Sequence, residues 1–211
     1  MASDVIIVGA GIAGLMCAYE SIKAGRRVTI VYQDDVQQSS TYYAQGGIAA
    51  AWSHQDSCLQ HIADTVMAGD GLCDQTIVQD FCNQAPEFVQ SLIDLGVSFD
   101  CHDSGEYRLT QEGAHSHPRI FHVKDYTGTA IILTLVSELK HHPRVTWINQ
   151  SIDALLLSAT TGRVVGVRTG QDQLLASHTV FATGGFSNIF SRSTNPKKNI
   201  GAGLALAFMA G

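Results

Sequence analysis

The sequence has 211 residues, of which 45% are hydrophobic and 15% charged, and its formal net charge is −6. This size and composition suit one domain with a sizeable core, and the negative charge disfavours nucleic acid or an anionic membrane as a partner. No stretch reaches the roughly 18 apolar residues of a membrane span, and no basic segment precedes an apolar one at the start. We therefore expect a soluble, cytoplasmic protein whose five cysteines are reduced.

A glycine-rich turn lies close to the start of the sequence. The apolar run 5–8 predicts a buried strand, and the apolar spacing from Ile12 onward predicts a helix. Between them, Gly9, Gly11 and Gly14 follow the G-x-G-x-x-G pattern, which combines a tight turn, a close backbone approach to a pyrophosphate and tight helix–strand packing. The pattern predicts that the turn binds a dinucleotide through Gly9, Ala10, Gly11, Ile12, Ala13 and Gly14. The alternative is a glycine-rich turn that binds nothing.

The rest of the chain alternates between helical and strand patterns. A second strand is predicted at 27–32, and a late strand at 178–183 ends in the small residues Thr183, Gly184 and Gly185. The other predicted elements are helices at 56–68, about 74–82, 86–96 and 127–141, strands at 97–99 and 145–148, a turn at 103–105, a three-stranded meander within 151–177, and a helix from Gly201. Pro86 is assigned to the first turn of its helix, and the strand at 145–148 is expected to pair with 28–31 in a parallel sheet.

The acid that would bind the ribose of NAD is missing from its usual place. It is expected near the end of the second strand, where Gln33 stands, and Asp34 and Asp35 come slightly late. The glycine-rich turn and the late strand together resemble the FAD domain of two-dinucleotide-type flavoproteins. The resemblance implies an α/β, Rossmann-like FAD-binding domain over residues 1–211, with a parallel sheet and a three-stranded β-meander. It also implies that Gln33, Thr183, Gly184 and Gly185 lie at the cofactor.

The segment 39–50, SSTYYAQGGIAA, narrows the choice among flavoprotein families. It resembles the flavin-contacting loop of the succinate dehydrogenase, fumarate reductase and L-aspartate oxidase superfamily. Glycines let backbone amides approach the isoalloxazine ring, while hydroxyl and amide groups suit the ribityl and phosphate parts. The cofactor-binding residues implied here are Ser40, Thr41, Tyr42, Tyr43, Ala44, Gln45, Gly46 and Gly47. In the respiratory members a histidine that bonds covalently to FAD occupies the position of Ser40, so non-covalent FAD is expected.

The segment 111–122, QEGAHSHPRIFH, distinguishes among the members of this superfamily. It resembles the Glu-Gly-x-His-Ser-x-x-Arg-Ile stretch of L-aspartate oxidases, whereas the dicarboxylate reductases and dehydrogenases carry Arg-x-Phe-Gly-Gly near here. L-Aspartate differs from succinate by one ammonium group, for which Glu112 supplies a charge-assisted acceptor. The candidate substrate-side residues are Glu112, His115, His117 and Arg119, although a loop histidine is more often structural. No metal site is predicted, because no carboxylate or cysteine completes a ligand set.

The resemblance implies FAD-dependent oxidation of L-aspartate to iminoaspartate, with oxygen or fumarate as acceptor, in de novo NAD biosynthesis. Quinolinate synthase is then a possible partner. Two alternatives stay open: a soluble fumarate reductase or succinate dehydrogenase-like flavoprotein, and a non-catalytic remnant that binds FAD or nothing.

The sequence departs from the family in two ways. The family's Gly-Asp-Gly pattern reads Gly201-Ala202-Gly203 here, and the capping and C-terminal helical domains of the longer members have no counterpart. We therefore expect a truncated form that does not turn over L-aspartate at an enzyme-like rate.

Overall fold

A computed structural model describes residues 3–211 of the chain. Their elements are, in chain order, β1 (Ser3–Val8), α1 (Ile12–Lys23), β2 (Val28–Tyr32), β3 (Ile48–Ala49), α2 (Cys58–Ala68), α3 (Gln75–Asp94), β4 (Ile120–Phe121), α4 (Thr127–Lys140), β5 (Val145–Asn149), β6 (Ala154–Leu157), β7 (Val164–Thr169), β8 (Asp172–Phe181) and α5 (Ala202–Met209). Two single-turn 3₁₀ helices lie at Val36–Gln38 and Ser187–Ile189. No helix in this described part is long and apolar enough to cross a membrane.

The chain packs as two compact units. The first comprises the residues up to Tyr43 together with Ile132–Gly211, and the second comprises Ala44–Ile131. The assignment of residues 1–211 to a single FAD-binding domain stays a prediction.

The first unit is built on a six-stranded sheet with the strand order β5-β2-β1-β8-β7-β6. Strands β5, β2, β1 and β8 run parallel, while β8, β7 and β6 form an antiparallel meander. Val28 pairs with Val145, so the predicted neighbourhood of the second and fifth strands is confirmed. The core on this sheet gathers Ile6, Val31 and Val167, all at most 1% exposed. The predicted α/β class, with a parallel sheet and a meander, is confirmed.

The third strand of the meander and the returning strand are one strand, not two. Sequence patterns separate 174–176 from 178–183, but β8 runs unbroken over Asp172–Phe181. One edge of β8 pairs antiparallel with β7, and the other pairs parallel with β1 from Ala176 onward. The Ser177 hydroxyl donates to the Asp4 carbonyl over 2.8 Å, so the polar residues that suggested a break are accommodated within the strand.

The prediction of two helices on either side of Pro86 is wrong. α3 is one helix of 20 residues with Pro86 inside it. Proline removes one helical hydrogen bond and clashes with the preceding turn, at a cost of about 3 kcal/mol. Cys82, Val89 and Leu92 continue one buried face across the proline, and burying that face offsets the cost.

The second unit also departs from the prediction at its short strands. Residues 97–99 are not a strand, although Val97 and Phe99 are buried. Instead, the two-residue strands β3 and β4 pair antiparallel, with Ile48 opposite Phe121. Such short ladders carry too little alternation to be recognised in a sequence. The predicted turn at 103–105 is present, closed by a Gly105 amide that donates to the His102 carbonyl.

Candidate cofactor and substrate sites

A cleft of about 480 Å³ lies in the first unit at the carboxyl ends of its parallel strands. Ligands of open parallel sheets bind at this edge, because the chain turns there away from the strand ends. Ten of the predicted cofactor residues line the cleft, namely Gly9, Ala10, Gly11, Ile12, Ala13, Gln33, Ser40, Thr41, Thr183 and Gly184. Segments distant in sequence are thus brought together around one cavity.

The three glycines of the turn differ in how much room their surroundings leave for a side chain. A side chain on Gly9 would meet the Ala182 carbonyl oxygen at 2.2 Å, and Gly9 also has a φ of +115°. A side chain on Gly14 would meet the Gly9 carbonyl oxygen at 2.0 Å. At Gly11 the nearest atom to a Cβ is the Thr41 hydroxyl oxygen at 3.7 Å, and φ is an ordinary −79°. The fold therefore requires glycine at positions 9 and 14, whereas the open space at Gly11 is available to a ligand.

The amino end of α1 lies at this open space. Gly11 precedes the helix and supplies no side-chain cap, and the first turn carries no acidic residue. The Ile12 amide donates only a long hydrogen bond, 3.4 Å, to the Thr41 hydroxyl. Free amide groups and the positive end of the helix dipole stabilise an anion placed there.

Some predicted cofactor residues lie elsewhere. Gly14 is buried, Gly185 is outside the cleft lining, and the rings of Tyr42 and Tyr43 pack edge to face with their centroids 5.7 Å apart. Residues 44–47 belong to the second unit.

Sequence reasoning also missed part of the cleft lining, including Tyr32, Asp35, Gln150, Ser151, Ile152, Phe181, Ala182, Lys198 and Asn199. The residues at 150–152 follow a strand predicted beside the second one, so the rule for parallel strand ends was a usable signal for them. No comparable signal pointed to Lys198 or Asn199.

The loop 44–47 of the second unit is held by the start of α4 and by β4. The Thr127 hydroxyl donates to the Gly46 carbonyl, and the Gly128 amide donates to the Ala44 carbonyl over 3.0 Å. A side chain on Gly47 would meet the Phe121 carbonyl oxygen at 2.3 Å, so only glycine fits there. Glycine at this position lets the loop backbone lie directly against β4.

Glu112 lies beside this loop. Its carboxylate oxygen Oε1 is 3.6 Å from the place that a Cβ on Gly46 would occupy, and the residue is exposed. A predicted substrate-side carboxylate and a predicted flavin-loop glycine are therefore neighbours within one unit.

Arg119 does not lie on the accessible surface of the second unit. Its side chain is 0% exposed. Its Nε and Nη2 donate to the two carboxylate oxygens of Asp56 over 2.9 and 2.8 Å, and Nη1 lies 2.8 Å from Oδ2 of Asp64. Three of the five guanidinium N–H donors are thus directed at two carboxylates, and this ion-pair network holds the buried side chain in place. The substrate-side role of Arg119 stays a prediction.

Asp64 fastens the loop that carries Glu112. Its Oδ2 accepts from both the amide and the hydroxyl of Ser116, each over 2.8 Å. Burial by itself raises the pKa of the Asp64 carboxyl, but the hydrogen bonds from Ser116 and Gln60 and the contact with Arg119 outweigh it and hold that pKa well below its ordinary value. The carboxyl is therefore ionised at neutral pH and serves as the anchor of this loop.

The two loop histidines differ from each other. The His115 ring packs edge to face on His61 of α2, with centroids 6.1 Å apart, and Nδ1 of each ring is buried without a hydrogen-bond partner. Burial and then the charge of Arg119 lower the pKa of His61, which favours its neutral form. His117 is partly exposed. His61 was not predicted from the sequence, because a single histidine on a helix carries no distinguishing signal.

Comparison with known proteins decides the family. Residues 4–211 match the family described as FAD binding domain. The chain belongs to the FAD-binding domain family. FAD is accordingly the cofactor that this membership indicates.

Curated relatives of this FAD-binding chain are L-aspartate oxidases. The chain is 39% identical to the Yersinia pestis protein and 38% identical to the Synechocystis one, over 99% of its own length in both cases. It spans 42% and 38% of those two proteins, which is less than half of their length.

Solved structures place the FAD-binding chain in the same fold. Mycobacterium smegmatis Sdh1 in complex with UQ1 superposes with a TM-score of 0.91 at 31% identity, covering 100% of this chain and 38% of that one. A variant of the E. coli quinol fumarate reductase FrdA gives 0.93 at 27% identity, covering 99% and 37%.

The cleft of the FAD-binding chain suits the charged centre of FAD. The pyrophosphate carries negative charge, and the open face of Gly11 with the amino end of α1 offers space and free amides for it. Ala202 lines the same cleft, so the missing carboxylate of the Gly-Asp-Gly pattern is missing from the cleft itself. The hydrogen-bond donors of the cleft therefore fit the pyrophosphate of FAD. The cleft lacks the one carboxylate acceptor that the Gly-Asp-Gly pattern would supply.

Proposed function

We propose that this chain is the FAD-binding part of an FAD-dependent oxidoreductase that oxidises L-aspartate to iminoaspartate. The observation that supports the substrate is the position of Glu112, an exposed carboxylate next to Gly46 of the predicted flavin loop. The similarity to L-aspartate oxidases at 38–39% identity supports the same reaction.

The cofactor-binding residues proposed for this function form two groups. In the first unit, backbone amides at 10–13 hold the pyrophosphate, while Gly9, whose amide donates to the Val31 carbonyl, forms the turn beside it. Gln33, Ser40, Thr41, Thr183 and Gly184 contact the rest of FAD. In the second unit, residues 44–47 present backbone to the isoalloxazine ring. FAD is bound without a covalent link, since the Ser40 hydroxyl cannot form the link that a histidine forms.

The proposed reaction also requires residues that bind and orient L-aspartate. FAD held by these residues would supply the hydride acceptor for an oxidation in which a hydride leaves the aspartate Cα, a proton leaves the substrate nitrogen and a C=N bond forms. Oxygen or fumarate would be the final acceptor of the two electrons, giving peroxide or succinate. Glu112 orients the ammonium group by a charge-assisted hydrogen bond, while His115 and His117 are the remaining candidates for the substrate carboxylates. Asp64, paired with Arg119, anchors through Ser116 the loop that carries Glu112. Quinolinate synthase is the proposed consumer of iminoaspartate.

A fumarate reductase or succinate dehydrogenase-like flavoprotein is the second candidate. The TM-scores of 0.91 and 0.93 to Sdh1 and FrdA favour it. Glu112 argues against it, because a carboxylate beside the flavin repels a substrate that carries two carboxylates and no ammonium group.

The distinguishing experiment uses a hybrid in which residues 1–211 replace the matching segment of the Yersinia pestis L-aspartate oxidase. Glu112→Gln should lower aspartate oxidation, measured as peroxide formation, at least tenfold more than fumarate reduction, because a charged hydrogen bond contributes about 1.5–3 kcal/mol. Glu106→Gln in the same unit is the control for an exposed carboxylate outside the loop. An equal loss of both activities would remove Glu112 from ammonium recognition.

A further inference from the structure

We propose that Lys198 and Asn199 are further cofactor-site residues, which latch the FAD cleft closed and slow both entry and release of the cofactor. This proposal rests on the cofactor site of the proposed function and adds a kinetic role to two residues outside every recognised motif.

The side chains of this pair are anchored on the wall that follows β2. The Lys198 ammonium donates to the Gln33 carbonyl over 2.9 Å and pairs with Oδ2 of Asp34 at 2.7 Å. The Asn199 amide nitrogen donates to the Ser40 hydroxyl over 2.7 Å. Three polar contacts therefore hold this short segment to the loop that lines one side of the cleft.

The backbone around the pair is anchored on the opposite wall, which follows β8. The Asn188 amide donates to the Asn199 carbonyl over 2.8 Å, and the Gly201 amide donates to the Gly185 carbonyl over 3.2 Å. The Asn199 side-chain oxygen also lies 3.2 Å from the place of a Cβ on Gly184. Residues 198–199 thus bridge the two walls of a cleft whose lining they share.

The contacts on the two walls of the cleft differ in strength, so one side of the latch is expected to release before the other. Lys198 and Asp34 keep 33% and 57% of their side chains exposed, so their pairing is screened by salt and holds the segment only weakly. The backbone contacts on the other wall involve no charge. We therefore expect the side chains of Lys198 and Asn199 to release first, while the segment stays attached to the turn after β8.

The effect of Asp34→Asn on the rate of FAD dissociation distinguishes a latch from direct phosphate binding by Lys198. If the lysine gripped the cofactor, Asp34→Asn would free the ammonium and slow FAD dissociation. If the pair is a latch, Asp34→Asn weakens its anchor and accelerates both association and dissociation. Lys198→Met should act in the same direction, and Asn199→Ala should do so without any change of charge.

The experiment measures FAD association and dissociation rates on the purified chain by stopped-flow flavin fluorescence. Lys198→Met, Asp34→Asn and Asn199→Ala should each raise both rate constants about three- to fivefold, with a smaller change in Kd, as expected for the loss of one exposed contact. Raised salt should accelerate the parent and not Lys198→Met. Lys197→Met is the matched control, since it removes the same charge from the same segment outside the cleft lining.

Two results would overturn the latch, and they differ from failure of the cofactor site. Rates that stay unchanged in all three variants, or slower dissociation in Asp34→Asn, contradict the latch while FAD binding itself stands. A parent chain that binds no FAD contradicts the cofactor site and the latch together.

Discussion

Replacing Gly11 by valine separates ligand binding from folding at the glycine-rich turn. The space beside Gly11 holds no protein atom closer than 3.7 Å to a Cβ, and its backbone angles of −79° and −178° suit any L-residue. The apo protein should therefore keep its free energy of unfolding within about 1 kcal/mol of the parent, because lost chain flexibility in the unfolded state favours the variant slightly.

The effect on FAD should be large. The valine side chain fills the space in which a pyrophosphate oxygen would approach the amides at the start of α1. Loss of two charged hydrogen bonds, each about 1.5–3 kcal/mol, weakens binding by about 3–6 kcal/mol, or at least a hundredfold in Kd. Gly14→Ala is the contrasting variant, since its methyl group would meet the Gly9 carbonyl oxygen at 2.0 Å and destabilise the apo fold.

The assay pairs urea unfolding of the apo protein with FAD titration by flavin fluorescence. The expected pattern is normal unfolding with lost binding for Gly11→Val, and lowered stability for Gly14→Ala. An unchanged Kd in Gly11→Val would place the pyrophosphate elsewhere. A loss of stability equal to that of Gly14→Ala would refute the distinction between the two glycines.

Three further predictions follow from other residues of the two units. Ala202→Asp should tighten FAD binding about tenfold by restoring a charged acceptor to the cleft lining, and Ala205→Asp, an exposed change on the same helix, should leave the FAD Kd unchanged. Heat or acid should release FAD intact, because Ser40 stands where a histidine would form a covalent link. Flavin absorbance that stays with the precipitated polypeptide would contradict non-covalent binding. Asp64→Asn should destabilise the apo protein by about 3 kcal/mol and speed hydrogen exchange at residues 111–117. Because the pKa of Asp64 is lowered by folding, its stabilisation is present above the ordinary value of 3.8 and is lost as the pH falls below it. The variant should therefore lose less stability than the parent between pH 5 and pH 3 in acid titrations, and equal losses would count against the anchor.

The parallel sheet was predictable because its strands are short apolar runs bounded by glycine and polar residues. The glycine-rich turn indicated both the first crossover and the edge at which the cleft lies. Proline in α3 and the polar pair 177–178 in β8 misled the pattern, because burial of a continuous face and pairing on both edges override local preference.

The candidate site was predictable only where a motif carries it. Gly9 to Ala13 lie in the cleft as the motif indicates, and Glu112 lies beside Gly46. The burial of Arg119 depends on Asp56 and Asp64, more than 50 residues earlier, and the position of Lys198 depends on the end of β2. Ion pairs between such distant residues leave no periodic trace in a sequence, so they emerge only from the fold.

The most direct test of the cofactor site asks which half of FAD the cleft holds. FAD is titrated into the purified chain by fluorescence, and ADP or riboflavin is then added as a competitor. We expect one FAD per chain, displaced by ADP and not by riboflavin, because the pyrophosphate and adenosine half occupies the cleft at Gly11. Displacement by riboflavin alone, or the absence of any FAD binding, would contradict it.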